Sequence, residues 1–248
     1  MQVGSVLGRG EHNRSMKRLF DILFALVVLI LSLPFMLVIA AVIKLTSPGP
    51  VIYSQKRVGK NGQLFTIHKF RTMEFDADRK GTSITRRDDP RITKVGRLLR
   101  RTKLDELPQF WNVLAGHMSI VGPRPDVPEI VETYSPEMKR ILHVRPGITS
   151  IASIYLRREE ALLASTGDPD RLYIDVIVPA KVRLAMRHVD KQSFIYDCGI
   201  LLRTLCVCVL PFISTRSERE FLSMLKKQLH QNQTVESSKK TTPPMESS

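Results

Sequence analysis

Aromatic side chains are scarce in this chain, at 6% of 248 residues. A protein that stacks the bases of single-stranded nucleic acid needs a platform of rings. No nucleic-acid partner is therefore expected. Cysteine is scarcer still: Cys198, Cys206 and Cys208 share one apolar segment. Their number is odd and they form no CxxC pair, which argues against a disulfide framework or a zinc site and for buried thiols in a reducing compartment. The six histidines show no HExxH spacing, so structural roles are expected for them. No internal repeat is present. Acid is in deficit, with 24 Asp+Glu against 38 Lys+Arg and a net charge of +14. Such a surface calls for anionic partners: nucleic acid, which the scarcity of rings disfavours, acidic lipid, or phosphorylated ligands.

Charge is missing altogether from Ile22 to Ile43, a run of 22 residues. That length can span a bilayer and exceeds the apolar region of a signal peptide. Both flanks are basic, with Lys17 and Arg18 before the run and Lys44 after it. The positive-inside preference wants both ends on the cytoplasmic face, which a straight span cannot satisfy. Pro34 lies near the middle, and Ser32 stands two residues before it. Proline removes a helical hydrogen bond, and a nearby hydroxyl can take up a freed carbonyl. The pattern predicts a re-entrant membrane helix over 16–46, broken at Pro34; a proline-kinked span and a buried core helix are the alternatives. Residues 1–15 read as a flexible lead, 47–213 as the main domain, and 214–248 as a polar, disordered tail.

After the Ser47-Pro48-Gly49-Pro50 turn, Val51–Gln55 and Leu64–Phe70 read as strands. Between them Asn61-Gly62 marks a hairpin. Residues 86–103 hold eight basic side chains, with Ile92, Val95, Leu98 and Leu99 interleaved at helical spacing. This is an amphipathic basic helix suited to an anionic surface. The fold class expected is α+β, mainly helical, with a small β-hairpin and interfacial helices around the site.

The basic run leads directly into Leu104-Asp105-Glu106-Leu107-Pro108-Gln109. Leu107, Phe110, Trp111 and Leu114 then mark one face of a helix. Asp105 is placed as its N-cap, where unpaired N–H groups and the helix dipole hold a carboxylate ionised and attract phosphate. An ionised carboxylate beside a phosphate site can act as a nucleophile. Taken alone, capping is the commoner role of such an aspartate. Gly122-Pro123-Arg124-Pro125 and Val144-Arg145-Pro146-Gly147 each fix an arginine between rigid residues, as bidentate phosphate binding needs. Asp175 and Asp197 lie in apolar segments, where a lone acid must be paired or metal-bound. Asp76-Ala77-Asp78 resembles a DxD metal motif, a frequent pattern in acidic loops. Residues 194–213 read as a helix on the body or at the membrane interface rather than a second span.

Together these stretches resemble a known family. Phe20-Asp21 opening the apolar run, Lys69-Phe70-Arg71-Thr72-Met73, Leu104 to Gln109, Asn112-Val113-Leu114, Gly122 to Pro125, and Val144 to Thr149 occur in the order found in bacterial monotopic phosphoglycosyl transferases. The likeness covers roughly residues 16–210, in the family's minimal form. It implies transfer of a sugar 1-phosphate from a UDP-sugar to polyprenyl (undecaprenyl) phosphate, with release of UMP, at the cytoplasmic face of the bacterial inner membrane. It implies Asp105 as the covalent nucleophile, Glu106 supporting it, and Mg²⁺ held by Asp105 and Glu106. Lys69, Arg100, Arg124, Arg145 and Arg157 match basic positions for diphosphate or lipid phosphate; Asp175 and Asp197 match later acids of the site, and Ser32 with Pro34 the break of the membrane helix. A homodimer is left open. Two departures stand out. Leu33 occupies the position of the serine usual beside the proline, and Ser150-Ile151-Ala152-Ser153-Ile154-Tyr155 replaces the family's Gly-Trp-Ala-Gln-Val-Asn. The rivals are a glycosyltransferase using Asp76 and Asp78 and releasing UDP, and a non-enzymatic polyanion binder at the membrane.

Overall fold

The computed structural model describes residues 4–77, 89–157, 163, 169–191, 193–209 and 218–225, with side chains from Ser15 onward. Among the described residues the chain is mainly helical, with two small sheets. Helix α1, Gly4–Thr46, contains the charge-free run and Pro34. It begins within the stretch expected to be an irregular lead, and Pro34 does not divide it into two elements. Proline at 34 leaves the Ile30 carbonyl without its helical donor. The Ser32 hydroxyl does not replace it, lying instead 3.5 Å from the Leu29 carbonyl and 3.4 Å from Met36 Sδ. Leu26, Ile30, Leu31, Phe35 and Leu37 of its middle are exposed, Phe35 by 67%.

Both ends of the apolar run are fastened to the body. Lys17 pairs with Asp197 and donates to the Val121 carbonyl at 3.0 Å. Arg18 donates to the carbonyls of Val113 at 2.8 Å and Leu114 at 3.2 Å. Asp21 accepts from the Ile120 N–H at 3.1 Å. At the other end Ile43 is buried against Phe70 and Leu99. Arg71 Nη2 donates to the Ser47 carbonyl at 2.9 Å just beyond the helix.

Strands β1, Ile52–Val58, and β2, Leu64–Phe70, form the antiparallel hairpin. β1 runs three residues past the end expected from the sequence. Asn61 (φ 55°) and Gly62 (φ 78°) turn the chain between them, as the Asn-Gly signal implies. Helix α2, Lys94–Thr102, is capped by the Thr93 side chain, which accepts from the Gly96 N–H. Gly96 is required there, because a Cβ would meet the Thr72 carbonyl oxygen at 1.9 Å. Helix α3, Gln109–Leu114, buries Gln109, Asn112 and Val113. Trp111 is 63% exposed, so the apolar face expected to include it does not form as a unit. Asn112 instead ties α3 to β2: its amide donates to the Thr66 carbonyl at 2.7 Å and accepts from the His68 N–H at 3.1 Å.

Strands β3, Ser119–Val121, and β4, Gly147–Thr149, are parallel and pair in a register of Ser119 with Gly147 and Val121 with Thr149. β3 leads into the Gly122–Pro125 loop and the Val144–Pro146 stretch leads into β4; the Gly147 N–H donates to the Pro123 carbonyl at 2.8 Å, which holds the two loops together. Helix α4, Pro128–Glu132, lies between them in sequence, and α5, Ile151–Tyr155, follows β4. The chain then runs through α6, Pro169–Leu172, a π-helical turn at Tyr173–Ile177, α7, Val178–Asp190, and α8, Phe194–Val209. A last helical segment, α9, covers 218–225. It buries Glu218, Phe221 and Leu225, so the tail is not wholly unstructured as expected. Each buried apolar side chain there stabilises the docked segment by about 2 kcal/mol. The cysteines are free, but Cys206 and Cys208 are exposed rather than buried. The main core joins Ala25 of α1 to Val113, Met118, Ile120, Ile177 and Leu184.

Candidate active site

Lys103 ends α2 in the left-handed conformation, at φ 59°. A side chain in that region costs about 1–2 kcal/mol. The turn it makes reverses the chain into a short 3-10 helix, Leu104–Glu106, before Pro108 leads into α3. Asp105 is therefore not the N-cap expected from the sequence; no side chain caps α3. Asp105 and Glu106 are instead consecutive residues of a tight turn, 7% and 9% exposed.

The two acids have different partners. Glu106 accepts both arms of Arg124, Nη2 to Oε1 at 2.6 Å and Nη1 to Oε2 at 3.2 Å. This fork-to-carboxylate geometry is the strong form of the ion pair. It outweighs the cost of burial and holds Glu106 well below the usual carboxylate range. Asp105 Oδ1 is buried and accepts no hydrogen bond. Burial and the adjacent Glu106 charge push Asp105 up to about 6, against the pull of Lys69, Lys103 and Arg124. The ionisation expected from a helix N-terminus is thus replaced by a carboxylate raised by its surroundings yet largely ionised at pH 7.

Lys69, near the end of β2, stands over the Tyr53 ring with Nζ 5.4 Å from its centroid. Burial, with Arg57 and Arg124 nearby, draws it down to about 8, opposed by Glu106 and Asp105. Asp105, Glu106, Lys69, Lys103, Arg124 and Arg57 therefore form one electrostatic cluster. Three separate pieces of chain supply it: the hairpin, the turn after α2, and the Gly122–Pro125 loop.

The other sequence-derived candidates fall elsewhere. Arg145 is exposed and its Nε donates to the Gly116 carbonyl at 2.9 Å, at the far end of α3 from the acids. Arg157 forms a buried pair with Glu218 at 3.0 Å, fastening α9. Asp197 is buried against Lys17 and 3.6 Å from His188 Nδ1, fastening α1. Asp175 is not in an apolar interior: it faces solvent on the π-helical turn and pairs with Arg171 at 3.3 Å. Arg100 is half-buried on α2 and is counted among the charges near Asp89. Asp78 of the DxD triplet lies outside the described residues, and Asp76 takes a left-handed turn conformation, φ 64°.

Two members of the cluster escaped the sequence reading as site residues. Lys103 was one cation among eight, and only its left-handed turn brings it beside the acids. Arg57 lies beyond the strand expected from the sequence, with no local signal other than its charge. A cation such as Mg²⁺ fits the arrangement in one respect: Asp105 offers an open carboxylate oxygen, whereas both Glu106 oxygens are engaged by Arg124. Among the described residues no group of three or more His, Cys, Asp or Glu side chains could enclose a metal. Magnesium commonly binds through one or two carboxylates and completes its shell with water and substrate phosphates.

The chain also resembles proteins of known name. The exopolysaccharide production protein PSS of Rhizobium leguminosarum bv. phaseoli is 45% identical over 200 residues, covering 76% of this chain and 92% of that protein. The UDP-glucose:undecaprenyl-phosphate glucose-1-phosphate transferase of Escherichia coli (strain K12) is 47% identical over 145 residues, 57% of this chain but 31% of that longer protein. The UDP-N-acetylgalactosamine-undecaprenyl-phosphate N-acetylgalactosaminephosphotransferase of Aeromonas hydrophila is 43% identical over 156 residues, 62% of this chain and 37% of it. Residues 12–211, which hold most of α1, the acid pair and both arginine loops, match the family described as bacterial sugar transferase, and the chain belongs to that family.

Proposed function

We propose that this protein transfers a sugar 1-phosphate from a UDP-sugar to undecaprenyl phosphate and releases UMP, with Asp105 as a covalent nucleophile. The observation that carries the reading is the buried Asp105 carboxylate, its Oδ1 unpartnered, among Lys69, Lys103 and Arg124. The relatives named above include two whose names state this kind of transfer.

In the first step an Asp105 oxygen attacks the phosphorus that bears the sugar. The bond from that phosphorus to the bridging oxygen breaks, and UMP leaves with the electron pair. In the second step a phosphate oxygen of the lipid attacks the same phosphorus, the acyl phosphate bond breaks, and the Asp105 carboxylate is restored. A carboxylate near 6 is a better nucleophile than an ordinary aspartate and remains ionised at neutral pH. The lipid phosphate is already anionic, so a strong general base is unnecessary. Lys69 and Lys103 supply positive charge where the transferred group becomes more negative. Arg124 keeps Glu106 ionised beside Asp105, which sustains the raised basicity of the nucleophile. Mg²⁺, when bound at Asp105, would supply charge neutralisation for the diphosphate.

The membrane assignment rests on α1. A 22-residue apolar run is about 33 Å long, enough to reach across the hydrocarbon layer. Yet Lys17 and Arg18 at one end and Ile43 at the other contact the same body. A rod crossing the bilayer straight could not keep both contacts on one side. A re-entrant course, with both ends at the cytoplasmic face and the exposed middle in lipid, accommodates both. The basic face of α2 suits anionic headgroups of that leaflet.

Membranes or detergent-purified protein incubated with a panel of UDP-sugars and undecaprenyl phosphate test the chemistry. UMP release and a labelled protein adduct from a sugar-labelled donor are expected. Release of UDP, or full turnover by Asp105→Asn, would overturn the reading.

A further inference from the structure

Arg57 lies outside every role assigned above. It is on β1, and Gln55, two residues earlier, shares its face of the strand. Arg57 Nη2 donates to Gln55 Oε1 at 2.6 Å, which fixes the plane of the guanidinium. Nη1 donates to the Pro125 carbonyl at 3.1 Å. The next residue, Val58, donates its N–H to the Asp126 carbonyl at 3.0 Å. Tyr134 closes the other side of the loop by donating its hydroxyl to Asp126 Oδ2 at 2.7 Å. The loop that carries Arg124 is thus held from three directions, and Arg57 is the hold directly beside Arg124.

A neutral donor could satisfy one carbonyl as well. Arg57 instead sits near two other cations, Arg124 and Lys69, with Asp126 as its opposing charge. Clustered cations in a half-buried place repel one another and strengthen the fold little. Their arrangement becomes favourable when an anion with several charges binds. A rigid fork also holds a carbonyl at fixed angle, which a flexible ammonium does not.

We propose that Arg57 is a positioning residue for phosphosugar transfer: it braces the Pro125 carbonyl so that Arg124 stays locked on Glu106 beside the nucleophile. The proposal rests on the transfer reaction above and adds a residue that acts on it through the Arg124 loop rather than by touching the substrate. Displacement of a site group by about 1 Å can cost roughly a hundredfold in rate.

The full-length protein is the material for the test. In Arg57→Gln, kcat for UMP release is expected to fall about 10- to 100-fold while KM for the UDP-sugar changes by less than about threefold. Arg57→Lys is expected to recover only part of the loss. The double variant Arg57→Gln/Arg124→Gln is expected to be no slower than Arg124→Gln alone within about twofold, because the brace has nothing left to position. Should Arg57→Gln misfold, Gln55→Leu keeps the arginine, frees its plane, and is expected to lower kcat in the same direction by several-fold. Hydrogen exchange gives a readout independent of turnover: amides of the Gly122–Asp126 loop are expected to exchange faster in Arg57→Gln, with peptides of α7 unchanged. Wild-type kcat in Arg57→Gln, multiplicative losses in the double variant, or unchanged loop exchange would each overturn the proposal. Absence of UMP release from the wild type would instead overturn the transfer reading, and the exchange result would still judge the brace.

Discussion

Lys17 of the membrane helix and Asp197 of α8, 180 residues apart in sequence, form a buried ion pair. The same ammonium reaches the Val121 carbonyl, so one side chain joins the membrane element to β3 and α8. Removing one partner of a buried pair costs about 3–5 kcal/mol. Lys17→Met is therefore expected to lower Tm by several degrees, whereas Lys17→Met/Asp197→Leu regains most of that loss. Asp197→Asn is expected to keep the labelled adduct at temperatures where it stays folded, since Asp197 fastens α1 rather than lining the acid pair. Thermal denaturation and adduct labelling measure the two effects.

Asp105 and His188 make the folded state respond to pH in opposite senses. Burial and Glu106 raise Asp105 to about 6 from an ordinary 3.8, so the folded chain binds that proton more tightly. Its contribution is present below about 3.8 and is lost as pH rises through 6. Asp105→Asn is expected to remove the penalty, raising stability at pH 7 by about 1–3 kcal/mol while abolishing turnover. His188 is drawn down to about 4 from 6.5 by burial and by Lys17. Its contribution is present above 6.5 and is lost as pH falls through 4. His188→Phe is expected to flatten the acid limb alone. Urea denaturation in EDTA across pH 4–8 separates the two.

Arg124→Leu leaves Glu106 buried without its fork. A destabilisation of about 3 kcal/mol is expected, recovered in large part by Glu106→Gln in the same chain. Adduct formation is expected to fall at least a hundredfold in Arg124→Leu and not to return in the double variant. Denaturation midpoints and single-turnover labelling check this.

Gly122 and Gly147 touch back to back where β3 and β4 meet. A Cβ on Gly147 would lie 2.1 Å from the Gly122 nitrogen, and one on Gly122 would lie 2.5 Å from the Arg145 carbonyl oxygen. These are backbone atoms beside the sheet and cannot yield cheaply. Gly147→Ala is expected to destabilise by about 2–4 kcal/mol and to lower the yield of folded protein in membranes, seen by size-exclusion chromatography.

A topology measurement addresses the helix. With Cys198, Cys206 and Cys208 replaced by serine, a membrane-impermeant thiol reagent is expected to label Gln2→Cys and the exposed Gln63→Cys from the same face of sealed vesicles. Pro34→Leu is expected to shift part of the population to opposite-face labelling, because a helix without proline in its middle favours a straight span.

The order of short motifs was enough to indicate a membrane-associated sugar-phosphate transferase, since the acid pair, the apolar run and the arginine–proline loops are all local in sequence. The hairpin was legible for the same reason: Asn61-Gly62 demands a turn whatever surrounds it. The adjacent acids Asp105 and Glu106 were legible as a pair, but not in their geometry. The cap position expected of Asp105 was replaced by a 3-10 turn, which follows from Lys103 entering a conformation that lysine seldom adopts. Arg145, Arg157, Asp175 and Asp197 show a second limit. An arginine or aspartate in an apolar stretch announces that it needs a partner, and the sequence does not say whether that partner is substrate or another part of the chain.

Composition and local pattern by themselves determined the long apolar helix, the basic surface and the pair of adjacent acids, because each depends on residues close together in the chain. Tertiary structure alone decided that Arg124 locks Glu106 while Asp105 Oδ1 stays open, that Asp197 and Arg157 are fasteners, and that Arg57 stands behind Arg124. Those outcomes turn on angstrom-scale distances between segments tens of residues apart, set by how β3 meets β4 and how α1 docks, and no local property of the chain encodes them.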